Sequence, residues 1–200
     1  MSIKQTLYQK FKDQAARIAT SAKKAQDWFN NKVKNLSGNE IMAERPRLIT
    51  QDQMNQKLIG RMVMFYYEPK LKDELPYYDR FPLAIIVSIN KDGFTALNLH
   101  YLPYDLRAKL LDGIYTIHKD RYLDENRKLR LTYDMLKSSS RTRYFKACFK
   151  RYLNGHLRSK FYVVDPEEWE MVLVLPTERF VKKDKKFVWE QSRKQLGIRT

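Results

Sequence analysis

Apolar residues recur at Ile3, Leu7, Phe11, Ala15, Ile18, Ala22, Ala25, Phe29, Val33 and Leu36, in steps of three and four. That rhythm draws one stripe along a helix and predicts a single amphipathic helix across 3–36, about 50 Å long. Lys4, Lys10, Lys12, Arg17, Lys23, Lys24, Lys32 and Lys34 cover its other faces. Three uses stay open: packing on its own domain, a coiled-coil or docking arm for another subunit, and a helix lying on a membrane surface. Ser37-Gly38-Asn39 supplies a stop signal. The expected organisation is a helix over 1–38, a polar linker over 39–58 around Arg45-Pro46-Arg47, and a core domain over 59–200.

The period then changes. Arg61 to Glu68, Pro82 to Ile89 and Phe94 to His100 are rich in β-branched and aromatic residues and predict strands. Asn90-Lys91-Asp92-Gly93 joins the last two as a hairpin loop. Pro103 opens a predicted helix from Tyr104 to Tyr115, with Leu106, Leu110, Leu111 and Ile114 on one face. Further helices are predicted at 124–136 and 141–153, the second stopped by Asn154-Gly155. Phe161 to Val164 predicts a strand, Asp165-Pro166-Glu167-Glu168 a turn or one helical turn, and Glu170 to Leu175 a strand ending at Pro176. A basic helix is expected within 180–196, anchored by Phe180, Phe187, Val188, Trp189 and Leu196. The fold class is therefore α+β: a small antiparallel sheet, with an SH3-like barrel among its forms, surrounded by helices and preceded by the long N-terminal helix.

Charge sharpens this picture. The 200 residues hold 39 Lys and Arg against 23 Asp and Glu, a net charge of +16, which favours anionic partners. Met135 to Val164 has no acid, yet carries Lys137, Arg141, Arg143, Lys146, Lys150, Arg151, Arg158 and Lys160. Tyr144, Phe145, Phe149, Tyr152, Phe161 and Tyr162 interleave with them. On the predicted helix Phe145, Cys148, Phe149 and Tyr152 share one face, while Arg143, Lys146 and Lys150 fall opposite. A solvated helix face explains this without function; a nucleic-acid surface explains the missing acids as well. The expected DNA-contacting cations are Arg141, Arg143, Lys146, Lys150, Arg151, Arg158 and Lys160.

Little points to catalysis. Neither GxxxxGK[ST] nor GxGxxG occurs, and His100, His118 and His156 stand far apart in sequence. With Cys148 as the lone cysteine, no internal disulfide or cysteine-based zinc site is available, and a buried core thiol is the ordinary reading. Asp73/Glu74 and Asp165/Glu167/Glu168/Glu170 are the carboxylate clusters a Mg²⁺-dependent nuclease would need, though acids at a helix start ordinarily cap it. No cofactor and no metal site is expected. No apolar run reaches the roughly 18 residues of a membrane span and no signal-peptide core is evident, so an intracellular protein without a membrane partner is expected. Leu75 to Pro82 (LPYYDRFP) is dense in aromatics. It reads as a rigid loop packed on the sheet, with Asp79 and Arg80 making local pairs. It also suits Tyr77, Tyr78 and Phe81 as a cap stacking on a DNA end or contacting a protein.

The order MFYYEPK, LPYYDRFPL and GFTALNLHYLPYDLRAKLLD, followed by RYFKACFKRYLNGHLRSKF and EEWEMVLVLPTERF, resembles the DNA end protector family of T-even-type tailed bacteriophages. The likeness covers roughly 60–195. It implies a non-enzymatic minor virion protein that binds the ends of packaged double-stranded DNA and shields them from host exonuclease. It further implies head completion at the portal vertex, with portal or neck subunits as partners, and residence in the virion and, during assembly, the host cytoplasm. Residues 3–36 are the expected route to any oligomer. The competing reading is a structural subunit of the neck, tail or baseplate.

Overall fold

A computed structural model describes residues 23, 27–28, 30, 48–49, 58–119, 134 and 143–197. Strands β1 (Leu48–Ile49), β2 (Met62–Met64), β4 (Leu83–Asn90), β5 (Gly93–Asn98), β6 (Phe149–Leu153) and β7 (Phe161–Val164) form one antiparallel sheet of order β1-β7-β2-β4-β5-β6. Strands β3 (Tyr78–Asp79) and β8 (Phe180–Val181) make a separate two-stranded ribbon. Helices α1 (Tyr104–Lys119), α2 (Trp169–Val174) and α3 (Lys185–Leu196) complete an α+β fold.

Strand β4 sets the architecture. Its first five residues, Leu83 to Val87, are all buried, as a continuous apolar run requires of a strand covered on both faces. Leu83, Ile85 and Val87 join Met62, Met64, Leu110, Leu111, Ile114, Trp169, Val172 and Val188 in the core under the helices. Ala84 and Ile86 face the other way, toward Val63, Phe65, Phe94, Tyr152 and Phe161. Phe65 makes ring contacts of 5.5 Å with Phe94, 5.1 Å with Tyr152 and 5.0 Å with Phe161. In a flat sheet the chain beside β2 would lie about 14 Å from β6, three strand spacings away. Rings in contact therefore mean that the sheet curls round this aromatic cluster.

The β4–β5 hairpin closes through Lys91-Asp92, with Asn90 paired to Gly93, as the loop signal predicts. Gly93 is dictated by β6 rather than by the turn: a Cβ there would sit 2.0 Å from the Tyr152 carbonyl oxygen. Helix α1 starts directly after Pro103 and buries Leu110, Leu111 and Ile114 as expected, but runs on to Lys119. Strand β7 and the 3₁₀ turn Pro166–Glu168 also follow the sequence reading.

Three expectations are corrected. The helix predicted over 141–153 is a 3₁₀ segment, Arg143–Cys148, followed by strand β6. Phe149-Lys150-Arg151-Tyr152-Leu153 fits either period, and the backbone groups along the free side of β5 decide the matter by taking it as their partner. The strand predicted at Glu170 to Leu175 is instead helix α2 with Leu175 as its C-cap. Pro166 and the Glu168 carboxylate, which accepts the Asp165 amide at 3.3 Å, start a helical turn. Trp169, Val172 and Leu175, spaced by three, then bury together. Within the expected linker, Leu48–Ile49 pairs with β7 as a sheet strand.

No N-terminal helix of the expected length is part of the described structure, and most of 3–36 lies outside the described residues. Within it Lys23, Asp27, Trp28 and Asn30 have helical backbone. Trp28 is buried, its ring edge-on to Tyr162 at 5.9 Å and its Nε1 donating to Glu168 at 3.2 Å. The predicted helix over 124–136 lies outside the described residues except for Asp134. In the C-terminal stretch, β8 occupies Phe180–Val181 and the helix begins only at Lys185, capped by the Asp184 carboxylate and ended by Gly197 in the left-handed conformation.

Candidate nucleic-acid interface and the buried polar network

The expected cations are scattered by the loss of the 141–153 helix. Arg141 and the side chain of Arg143 lie outside the described residues. Lys146 is exposed on the 3₁₀ segment, and Lys160 is half-exposed. Arg151 and Arg158 are exposed but paired, with Asp92 at 2.6 Å and Glu68 at 3.2 Å. Lys150 is mostly withdrawn: its Nζ lies 4.0 Å from the centre of the Tyr101 ring, and desolvation lowers its pKa. Its ammonium is committed to that ring. Lys146 and Lys150 do not share a helix face, because Lys150 sits on a strand.

The aromatic loop is likewise drawn inward. Phe81 is buried, its ring 4.5 Å from that of Tyr66, and cannot stack on a DNA end. Tyr77 leans on Tyr101 and Phe187, each at 6.1 Å, and partial burial raises its pKa. Tyr78 is half-exposed on the ribbon. An aromatic cap is reduced to Tyr77 and Tyr78.

What the loop does hold is Asp79. It is buried together with Asn98, His100, Arg107 and Thr177. Its Oδ2 accepts from His100 Nδ1 at 2.7 Å and Asn98 Nδ2 at 3.0 Å, and its Oδ1 from the amides of Phe81 at 3.0 Å and Arg179 at 3.3 Å. Burial opposes ionisation of Asp79, but the His100 charge and these bonds outweigh it and hold its pKa below the ordinary value. With the carboxylate ionised, His100 Nδ1 carries the proton. His100 Nε2 shares a 2.9 Å bond with the Thr177 hydroxyl. Asn98 Nδ2 also donates to the Tyr152 hydroxyl at 3.0 Å.

One turn away, Arg107 is fully buried and ion-paired with Glu178. Its Nε donates to the Leu102 carbonyl at 2.8 Å, and its guanidinium lies 4.7 Å from the Tyr104 ring centre. Burial opposes ionisation of Glu178 too, but the charges of Arg107 and His100 keep its pKa low. The Asp-His-Thr series resembles a hydrolase charge chain, but its three side chains are sealed from solvent, so no substrate atom can reach it. Its physical role is to tie LPYYDRFP, NLHYLPYDLR and LPTERF together. The sequence reading assigns Asp79 only local pairs, whereas its carboxylate bonds Asn98 and His100; polar residues set among aromatics and prolines in those segments were the available signal.

Cys148 is buried, its thiol pushed up to about 12 by desolvation. Among the described residues no group of three His, Cys, Asp or Glu is placed to hold a metal ion, and no helix is long and apolar enough to cross a membrane. The carboxylates at Asp165 and Glu168 act on the helix start, as capping groups do.

Fold and site together define a basic α+β protein, a curled antiparallel sheet roofed by helices and locked by a buried ionic network. The chain belongs to the phage T4 terminal DNA protecting protein family, whose model matches residues 1–195. The match extends the likeness from 60 back through the N-terminal segment and the Arg45-Pro46-Arg47 region. No curated protein and no solved structure matches the chain.

Proposed function

We propose that this protein binds the ends of packaged double-stranded phage DNA without catalysis and shields them from host exonuclease. The observation that carries this reading is the match to the terminal DNA protecting family across 195 residues. The excess of 16 positive charges supports it, because phosphate contacts give affinity without sequence choice. Completion of the head at the portal vertex, contact with portal or neck subunits, association through residues 3–36, and residence in the virion belong to the same proposal. So does the SH3-like description of the sheet, which its curl round Phe65 supports.

The test is titration of a linear blunt duplex and a covalently closed circle of the same sequence, at low and near-physiological salt. The bound linear form is then challenged with exonuclease. Tighter, protective binding of the linear form is expected. Equal, salt-sensitive binding to both would leave only a basic surface and refute end protection. Failure to bind either at physiological salt would turn the assignment to a structural subunit.

A further inference from the structure

The ribbon formed by β3 and β8 pairs Tyr78 with Val181 and Asp79 with Phe180. It continues one step, the Arg80 amide donating to the Arg179 carbonyl at 2.8 Å. Side chains alternate across a strand, so with Asp79 buried on the inner face, Tyr78, Arg80, Arg179 and Val181 stand on the outer one. Arg80 and Arg179 are both exposed and directly opposite each other. Like charges opposed across two strands repel. Among the described residues no acid pairs with either; Arg179 Nη1 donates to the neighbouring Glu178 carbonyl at 3.4 Å.

Arg80 also lines a half-open cleft of about 450 Å³ with Tyr66, Tyr67, Glu68 and Arg158. The Glu68 carboxylate in it is already bonded to Lys72 at 2.7 Å and Arg158 at 3.2 Å, so the surplus charge of the recess is positive. A space of this size suits a single nucleotide-sized group, whereas a continuous duplex backbone passes over it. A terminal phosphomonoester carries a charge of about −1.5 to −2 near neutral pH, more than an internal diester. Arginine's planar fork matches phosphate oxygens, and Arg80 in the cleft with Arg179 at the paired position of the ribbon favours the more highly charged group.

We propose that this recess seats the terminal phosphomonoester of a DNA strand, gripped by Arg80 and Arg179, with Arg158 at the rim and Tyr66 beside the last nucleotide. The seat rests on the end-binding reading and adds to it the group that is recognised.

The test compares full-length protein with the Arg80→Gln, Arg179→Gln double variant by fluorescence anisotropy. Four DNAs of one sequence serve as probes: linear duplexes with 5′-phosphate, 3′-phosphate or hydroxyl ends, and the closed circle. Both arginines are exposed, and an unchanged thermal midpoint confirms the variant's fold. The wild-type protein is expected to bind one phosphorylated duplex on the order of tenfold tighter than the hydroxyl-ended one. In the double variant the difference collapses while circle binding is largely kept. The phosphorylated end that gains affinity identifies the strand polarity. A preference for linear DNA without discrimination of phosphate would overturn the seat and leave the end-binding reading standing. A phosphate preference surviving in the double variant would overturn it too. No preference for linear DNA would remove both.

Discussion

Replacement of Asp79 by Asn tests whether the buried network holds the family's motif segments together. The substitution keeps the shape of the side chain and one oxygen, so the Phe81 and Arg179 amides can retain their acceptor. It places an NH₂ where Oδ2 receives the Asn98 amide and His100 Nδ1. Donor then faces donor in a site without water access, and the His100 ring N–H loses its acceptor. Each orphaned buried donor costs about 1–3 kcal/mol, so losing the acceptor of both Asn98 and His100 costs roughly 2–6 kcal/mol. At about 2–4 °C per kcal/mol for a chain of this size, the midpoint should fall by roughly 10 °C. Thermal and urea unfolding followed by tryptophan fluorescence read the change, Trp28 and Trp169 being buried in the core. The midpoint should drop with an unchanged slope. Because the fold holds the Asp79 pKa below its ordinary value, its stabilisation is complete above the ordinary carboxylate range. That stabilisation is lost as pH falls through the folded value, so wild type and variant should converge in acid. A loss under about 1 kcal/mol at neutral pH, or a difference that persists at acid pH, would show that the Asp79 carboxylate does not hold these segments together.

Arg107→Met strands the buried Glu178 carboxylate and should cost about 3–5 kcal/mol, while Arg107→Met with Glu178→Gln should recover much of it in the same urea assay. Gly93→Ala would drive a methyl into the Tyr152 carbonyl and should destabilise by about 1–3 kcal/mol or more through separation of β5 from β6, visible as faster amide exchange in β6. Lys150→Ala should cost about 1–2 kcal/mol of stability through the lost Tyr101 contact and leave the salt slope of DNA binding unchanged. Lys146→Ala with Lys160→Ala should instead lower that slope by up to about 2 units with little effect on unfolding; the reverse pattern would place Lys150 on the DNA.

Elements whose period is unambiguous were legible in the amino-acid pattern alone. The unbroken apolar run of β4, the Lys91-Asp92 loop and the stripe of Leu110, Leu111 and Ile114 behind Pro103 each allow one local answer. Net charge and the order of the motif segments were enough to reach the family, and the family match confirms that resemblance. Tertiary structure decided wherever a short segment satisfied two periods. Phe149 to Leu153 became a strand because β5 had an edge to fill, and Trp169 to Val174 a helix because a capped turn and the core beneath it favoured one. It also decided which charges meet. Asp79, His100 and Thr177 lie 21 and 77 residues apart along the chain, and Arg80 faces Arg179 only because β3 pairs with β8. Periodicity reports which way a side chain points within its own element. Desolvation and pairing between elements set what its charge does, and those depend on neighbours that only the folded chain brings together.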